Sequence, residues 1–297
     1  MTDIKRLICF CFLLFLNAGF GATPAPHRTL TDDDVKHLLM ARAAMLYDEA
    51  TGTIIYERSI DTPYPPASTT KLMTALLVYE MKGLDGSIVI QPEDTHVEPS
   101  SVPLIAGETV SINNLMHALL IASDNDAALT LARYVAGTES KFVEMMNARA
   151  LSLGCENTHF VNPNGLPALN EYTTARDLRR IFNRVISIPV LRQICQTREF
   201  VLTTKAGSKV LINHNRLLGR YPGMGPAKTG WTLASEHTYA AAVIRDGREL
   251  QLIILHSQDK WRDAVVLFDY GFTHLPPIPP GPPVHTVSNT PVKQPSS

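Results

Sequence analysis

Residues 65–81 read PPASTTKLMTALLVYEM, and the change of grammar inside them decides how the chain is divided. Pro63, Pro65 and Pro66 forbid a regular element, whereas from Ser68 to Met81 apolar residues recur at helical spacing, with Ser68 placed to start the helix. Before this stretch, AAMLYD from Ala43 reads as an apolar strand, EATG as a turn and TIIYER as a second, alternating strand. After it, NNLMHALLIA, DAALTLARYVA, SKFVEMMNARALSLG closed by Gly154, and TARDLRRIFNRVIS before Pro189 read as helices. Beyond Arg198 strands return in REFVLTT, SKVLIN, a short segment around AKTGWT, TYAAAVIR and LQLIILH. Asp246-Gly247 is the hairpin signal between the last two. A helix from Lys260 to Tyr270 closes at Gly271. The order predicts an α+β fold: an antiparallel sheet in which the first and last strands meet, flanked by helices and carrying an inserted helical subdomain.

The chain has 297 residues, 45% of them hydrophobic and 19% charged, enough for one large domain or two modest ones. A formal net charge of -1 offers no field that would gather a polyanion, so no nucleic-acid partner is expected. Lys5 and Arg6 precede an apolar run from Leu7 to Leu16 and then small residues, the order of an export signal, expected over 1–22. The run is short of the ~20 residues that span a bilayer, which leaves an uncleaved anchor as the alternative. Residues 276–297 hold eight of the 21 prolines and are expected to form a solvated tail with no amphipathic face, leaving 23–275 as the folded domain. Of the four cysteines, Cys155 and Cys195 lie outside the signal; two buried thiols is the plain reading and a bridge the alternative. The ten histidines form no ligand cluster, so no metal or other cofactor is expected.

Three short motifs carry chemistry: Ser68-Thr69-Thr70-Lys71, Ser123-Asp124-Asn125 and Lys228-Thr229-Gly230. Each alone has a plain structural reading: a solvated helix face, a helix cap and a turn, respectively. Three residues apart on a helix, Ser68 and Lys71 share a face with Cβ atoms about 5–6 Å apart, so the amine can reach the hydroxyl. A serine needs a base, and a buried lysine beside another cation becomes one; Lys228 is the candidate cation. Pro65, Pro66 and Ala67 deliver Ser68 to a first turn whose N–H groups lack helical partners and can hold an oxyanion. Ser123 and Asn125, in a loop between helices, offer a hydroxyl and an amide for proton transfer and for holding a peptide. Gly230 removes a side chain that would block a peptide laid along a strand edge, while Lys228 and Thr229 offer a charge and a hydroxyl to a carboxylate.

Together with their flanks, PPASTTKLMTALLVYE, IASDNDAALTLA, FVNPNGLP followed by TTARDL, and NHNRLL before AKTGWT, these motifs resemble the low-molecular-mass D-alanyl-D-alanine carboxypeptidases from about Ala43 to Phe272. The resemblance implies a β-lactamase/transpeptidase-like, penicillin-recognising fold and a site between sheet and helices. It implies Ser68 as acylated nucleophile, Lys71 as proton acceptor, Ser123 as relay to the leaving D-alanine and Asn125 as holder of the substrate backbone. Lys228 and Thr229 would meet the terminal carboxylate, and the N–H groups of Ser68 and Trp231 would form the oxyanion hole. The implied partners are peptidoglycan stem peptides ending in D-Ala-D-Ala and, as covalent inhibitors, β-lactams.

The chain departs from that family after the third motif, where WTLASEHTYAAAV replaces an Ala-Gly pair and an apolar strand, and at its end, where a proline-rich tail stands in place of a β-rich domain and anchor. A soluble or loosely held protein of the periplasm or cell-envelope space is therefore expected. The S-D-N triplet resembles class A β-lactamases, but the glutamate of their E-x-x-L-N stretch falls on Leu166 here, so β-lactams are expected to acylate Ser68 and stay. Two rivals remain: a D,D-endopeptidase that cuts cross-links, and a non-catalytic module that binds wall fragments or β-lactams.

Overall fold

The computed structural model of the chain describes residues 29–95, 97, 102, 104–205 and 207–278; the expected export signal, and the tail beyond residue 278, lie outside them. The first helix, α1 (Asp32–Leu38), opens on a capping box in which Thr31 and Asp34 satisfy each other's backbone donors. The hairpin β1 (Ala43–Asp48) and β2 (Thr53–Arg58) follows, then a 3-10 turn over Ala67–Thr70 and the helix α2 (Lys71–Lys82). A small ladder, β3 (Ser87–Val89) with β4 (Thr109–Ser111), precedes a helical layer. That layer holds α3 (Ile112–Ile121), α4 (Asn125–Ala136), α5 (Glu139–Ser152), α6 (Ala175–Ile186) and α7 (Pro189–Gln196). The chain returns through a hairpin, β5 (Glu199–Thr204) and β6 (Gly207–Ile212), to β7 (Met224–Thr232), β8 (Glu236–Arg245), β9 (Arg248–Ser257) and the closing helix α8 (Lys260–Thr273).

Five strands form one antiparallel sheet in the order β2-β1-β9-β8-β7, so the first and last strands do meet, and β7 is an edge. The turn at Asp246 and Gly247 has positive φ at both residues, as a tight two-residue hairpin demands. Both faces of the sheet are covered, which is why AAMLYD, TYAAAVIR and LQLIILH read as nearly continuous apolar runs. Met45, Ala240, Ala242, Ile253 and Leu255 face α2 and the helical layer; Ala44, Leu46, Ala241, Val243, Leu252 and Ile254 face α1 and α8. The alternation of strand side chains sends neighbours into two cores, each buried Val, Leu or Ile side chain worth about 1.5–3 kcal/mol.

Three expectations are corrected. Ser68 does not cap α2: Ala67 has φ 48, the chain from Ala67 to Thr70 turns as a 3-10 helix, and no side chain caps its start. The hydroxyl is thereby left for another partner. The strands β5 and β6 pair only with each other, outside the main sheet. The segment around AKTGWT is a nine-residue strand, longer than its composition suggests, because its small residues pack along β8. Cys155 and Cys195 are both buried and free, with thiols pushed up to about 12 by burial. Among the described residues, no helix is long and apolar enough to cross a membrane.

Candidate active site

The three motifs converge where the 3-10 turn, the start of α4 and the edge strand β7 come together. Lys71 is the first residue of α2, has no exposed surface, and its Nζ lies 3.0 Å from Ser68 Oγ, 2.8 Å from Asn125 Oδ1 and 2.5 Å from the Asn164 carbonyl oxygen. Burial first, and the charge of Lys228 second, hold the Lys71 amine well below its ordinary value, against the opposing pull of Asp124 and Glu171. The neutral amine has two N–H bonds and one lone pair. Two of its three neighbours are carbonyl oxygens that only accept, so in the neutral form they would take the two N–H bonds and leave the lone pair toward Ser68 Oγ; in the charged form Nζ donates to all three. A hydroxyl donating into an amine lone pair is an activated nucleophile.

The second motif does two jobs. Asp124 caps α4, its Oδ1 accepting from Ala127 N at 2.8 Å, and its Oδ2 accepts from Val102 N at 2.7 Å, so the plain capping reading of this residue holds. Its neighbours face the site instead: Asn125 enters it as above, and Ser123, held at φ 59, places Oγ 2.8 Å from Lys228 Nζ. Lys228 is 2% exposed and also donates to the Thr229 carbonyl at 2.9 Å. Burial pushes its amine down to about 7, with Lys260 acting in the same direction.

Gly230 also makes a close contact inside the protein. A Cβ there would lie 2.3 Å from Thr238 Oγ1 and 2.8 Å from Ser68 N, so the glycine lets β7 touch the Ser68 turn directly. Gly165 does the same from the opposite side, where a Cβ would lie 2.0 Å from the Ala67 carbonyl oxygen. Thr238 Oγ1 donates to the Pro66 carbonyl at 2.9 Å and fixes the same turn from the sheet. Thr229 is 8% exposed, while Trp231 is 59% exposed, its ring centroid 6.4 Å from that of His237. All eight expected residues therefore lie on adjoining segments: the 3-10 turn, α2, the loop before α4, α4 itself and β7.

Two residues escaped the sequence reading. Position 166 is a leucine, as read, but five residues on Glu171 is 6% exposed and close to the 3-10 turn, Oε1 lying 3.4 Å from Thr70 Oγ1. Burial pushes its carboxyl up to about 8. His214 is pushed down to about 4 by the protein around it and by the charges of Lys228, Lys260 and Lys71. His214 lies within NHNRLL but was given no role there, and burial of a single glutamate in a loop leaves no periodic signal.

Residues 31–259 match the profile of the D-alanyl-D-alanine carboxypeptidase family. The chain is 34% identical over 244 residues to a D-alanyl-D-alanine carboxypeptidase of Mycobacterium tuberculosis, covering 80% of this chain and 84% of that one. It is 31% identical over 267 residues to a D-alanyl-D-alanine endopeptidase of Escherichia coli, covering 86% of this chain and 84% of the other. Among solved structures, a Streptomyces DD-transpeptidase superposes with a TM-score of 0.75 at 28% identity, covering 79% of this chain and 98% of that one.

Proposed function

The chain belongs to the D-alanyl-D-alanine carboxypeptidase family of serine hydrolases, and on that premise we propose that Ser68 and Lys71 remove the terminal D-alanine of peptidoglycan stem pentapeptides. The observation that carries the proposal is the buried Lys71 amine, 3.0 Å from Ser68 Oγ and flanked by two carbonyl oxygens that can take its N–H bonds.

In the proposed reaction, Ser68 Oγ attacks the carbonyl carbon of the penultimate D-alanine while its proton passes to Lys71 Nζ. The carbonyl oxygen becomes an oxyanion held by the N–H groups of Ser68 and Trp231. As the C–N bond breaks, a proton travels from Lys71 through Ser123 Oγ to the departing amine, so D-alanine leaves neutral at nitrogen and an ester remains on Ser68. Asn125 steadies the peptide, and Gly230 allows β7 to come close enough for the substrate to lie along its free edge. Lys228, still charged below about pH 7, and Thr229 receive the terminal carboxylate. Water then attacks the ester, giving its proton to Lys71, and Ser68 regains a proton as the acid departs.

The same chemistry implies that β-lactams acylate Ser68. Leu166 stands where a class A β-lactamase needs its glutamate, which favours a long-lived adduct. Residues 1–22 would direct export to the periplasm or cell envelope, 23–275 carry the reaction, and 276–297 form the tail. A second reading, cleavage of D-alanyl cross-links, is favoured by the match to an endopeptidase at 31% identity over most of both chains. Mass spectrometry after digestion of a monomeric pentapeptide and of cross-linked dimers separates the two. Loss of one alanine from the monomer is the expected result; conversion of dimers to monomers alone would replace it with the endopeptidase, and no change in either would leave only a binding module.

A further inference from the structure

The acylation scheme makes no use of Glu171, although this carboxyl is buried beside the base. Its two hydrogen-bond neighbours are uncharged: Thr70 Oγ1, 3.4 Å from Oε1, and Asn162 Nδ2, 3.5 Å from Oε2. Each belongs to a segment that presents a group to Lys71. Thr70 directly precedes Lys71 in the turn. Asn162 accepts through Oδ1 from the N–H groups of Asn164, at 3.2 Å, and Gly165, at 2.6 Å, and so shapes the turn that brings the Asn164 carbonyl to Lys71 Nζ. One carboxyl thus bridges the two segments that enclose the amine.

Burial disfavours the charged form of both groups, raising the Glu171 carboxyl and lowering the Lys71 amine, while each would favour the charged form of the other. Two buried groups that act on each other's charge can titrate as a pair. The charged groups that act on Lys71 are Lys228 from β7, Asp124 from the cap of α4 and Glu171 itself; Lys71 is the cation that acts on Glu171.

We propose that Glu171 is a positioning residue for Lys71, tying Thr70 to Asn162 and competing with the amine for a single proton. An ionised Glu171 keeps Lys71 protonated and unable to accept from Ser68; a protonated one frees it. The inference rests on the Ser68–Lys71 reading given above, and the test separates the two.

The test follows the rate at which a β-lactam acylates the full chain, read at Ser68 by peptide mass spectrometry across pH, for the wild type and for Glu171→Gln, Glu171→Met and Thr70→Val. Removing the carboxyl removes the group that holds the proton on Lys71. The acid limb of the Glu171→Gln profile should therefore move to lower pH by about one unit, about tenfold faster acylation on the acid side. Glu171→Met, which lacks the carboxyl but fills similar space, should move it the same way and stands in if the amide variant does not fold. Thr70→Val breaks the tie without touching the charge, and should slow acylation while leaving the limb in place. An acid limb that stays put or rises in both Glu171 variants overturns the assignment, as does an equal displacement in Thr70→Val, which would trace the effect to packing. Failure of the wild type to be acylated at Ser68 would instead remove the nucleophile reading, and this inference with it.

Discussion

Gly165 and Ala67 meet backbone to backbone: a Cβ on Gly165 would lie 2.0 Å from the Ala67 carbonyl oxygen and 3.0 Å from Ser68 N. Gly165 also has φ 78, in the left-handed region that a side chain resists. With Gly230 pressing from β7, the peptide that carries Ser68 is held between two glycines, so the position of Oγ relative to Lys71 is set by close contact on both sides.

The first prediction is that Gly165→Ala displaces the Ser68 turn. Backbone strain and the clash together should cost about 1–3 kcal/mol of stability. The shift of Ser68 relative to Lys71 should slow acylation by about tenfold or more, since small misplacements of reacting groups are expensive in rate. Thermal melts and β-lactam acylation rates check this, and a variant with unchanged rates would mean that the contact does not position the turn.

Lys71→Arg keeps a cation of similar length but supplies no neutral lone pair, because a guanidinium stays protonated. Acylation should fall by about 10²–10⁴-fold, the usual worth of a general base. The wild-type rate should rise with pH through the lowered value of Lys71, whereas the residual rate of the variant should not show that limb. A variant acylating at the wild-type rate would exclude Lys71 as the base.

How much of this could be read from residues alone differs between segments. The Ser68–Lys71 interval and the hairpin at Asp246-Gly247 were legible because helix period and turn chemistry are local, and the two-faced sheet announced itself in unbroken apolar runs. The pairing of β5 with β6 alone was not, since a period of two says that a residue is in a strand but not which strand lies beside it. The close packing of Gly230 was not legible either, because its closest neighbours, Thr238 and Ser68, come from distant parts of the chain. Asp124 shows that competing readings can both hold: it caps a helix while its two neighbours face the site. Glu171 was missed because its burial depends on the packing of the 162–171 loop against α2, which no local pattern encodes.

Capping by Asp124 yields a prediction of its own. Its carboxylate holds the N–H groups of Ala127 and Val102, both buried contacts. Asp124→Ala leaves these donors unsatisfied and should lower stability by about 1–3 kcal/mol, seen as a fall in the denaturant midpoint. Asp124 also favours the charged form of Lys71, so its loss should move the acid limb of acylation to lower pH and not to higher. A limb displaced upward would show that the cap acts on the site through displacement of Asn125 instead.

Lys228 links the site to stability. Its amine ordinarily titrates near 10.5 and is pushed down to about 7 in the fold, so between those values the unfolded chain holds a proton that the folded chain has lost. Stability therefore rises with pH across that window, and the full penalty for burying the group is present below about pH 7. Replacing Lys228 by methionine, which fills similar space without a charge, should make the protein more stable than the wild type at pH 6 by a few kcal/mol. That advantage should shrink steadily as pH climbs toward 10. If Lys228 receives the substrate terminus as proposed, the variant should meanwhile bind carboxylate-bearing substrate poorly, raising KM more than it lowers kcat. Denaturant melts of both proteins at several pH values give the first result and pentapeptide kinetics the second. A stability difference that does not change between pH 6 and 10 would mean that Lys228 keeps its ordinary titration in the fold, and that its charge persists across the range.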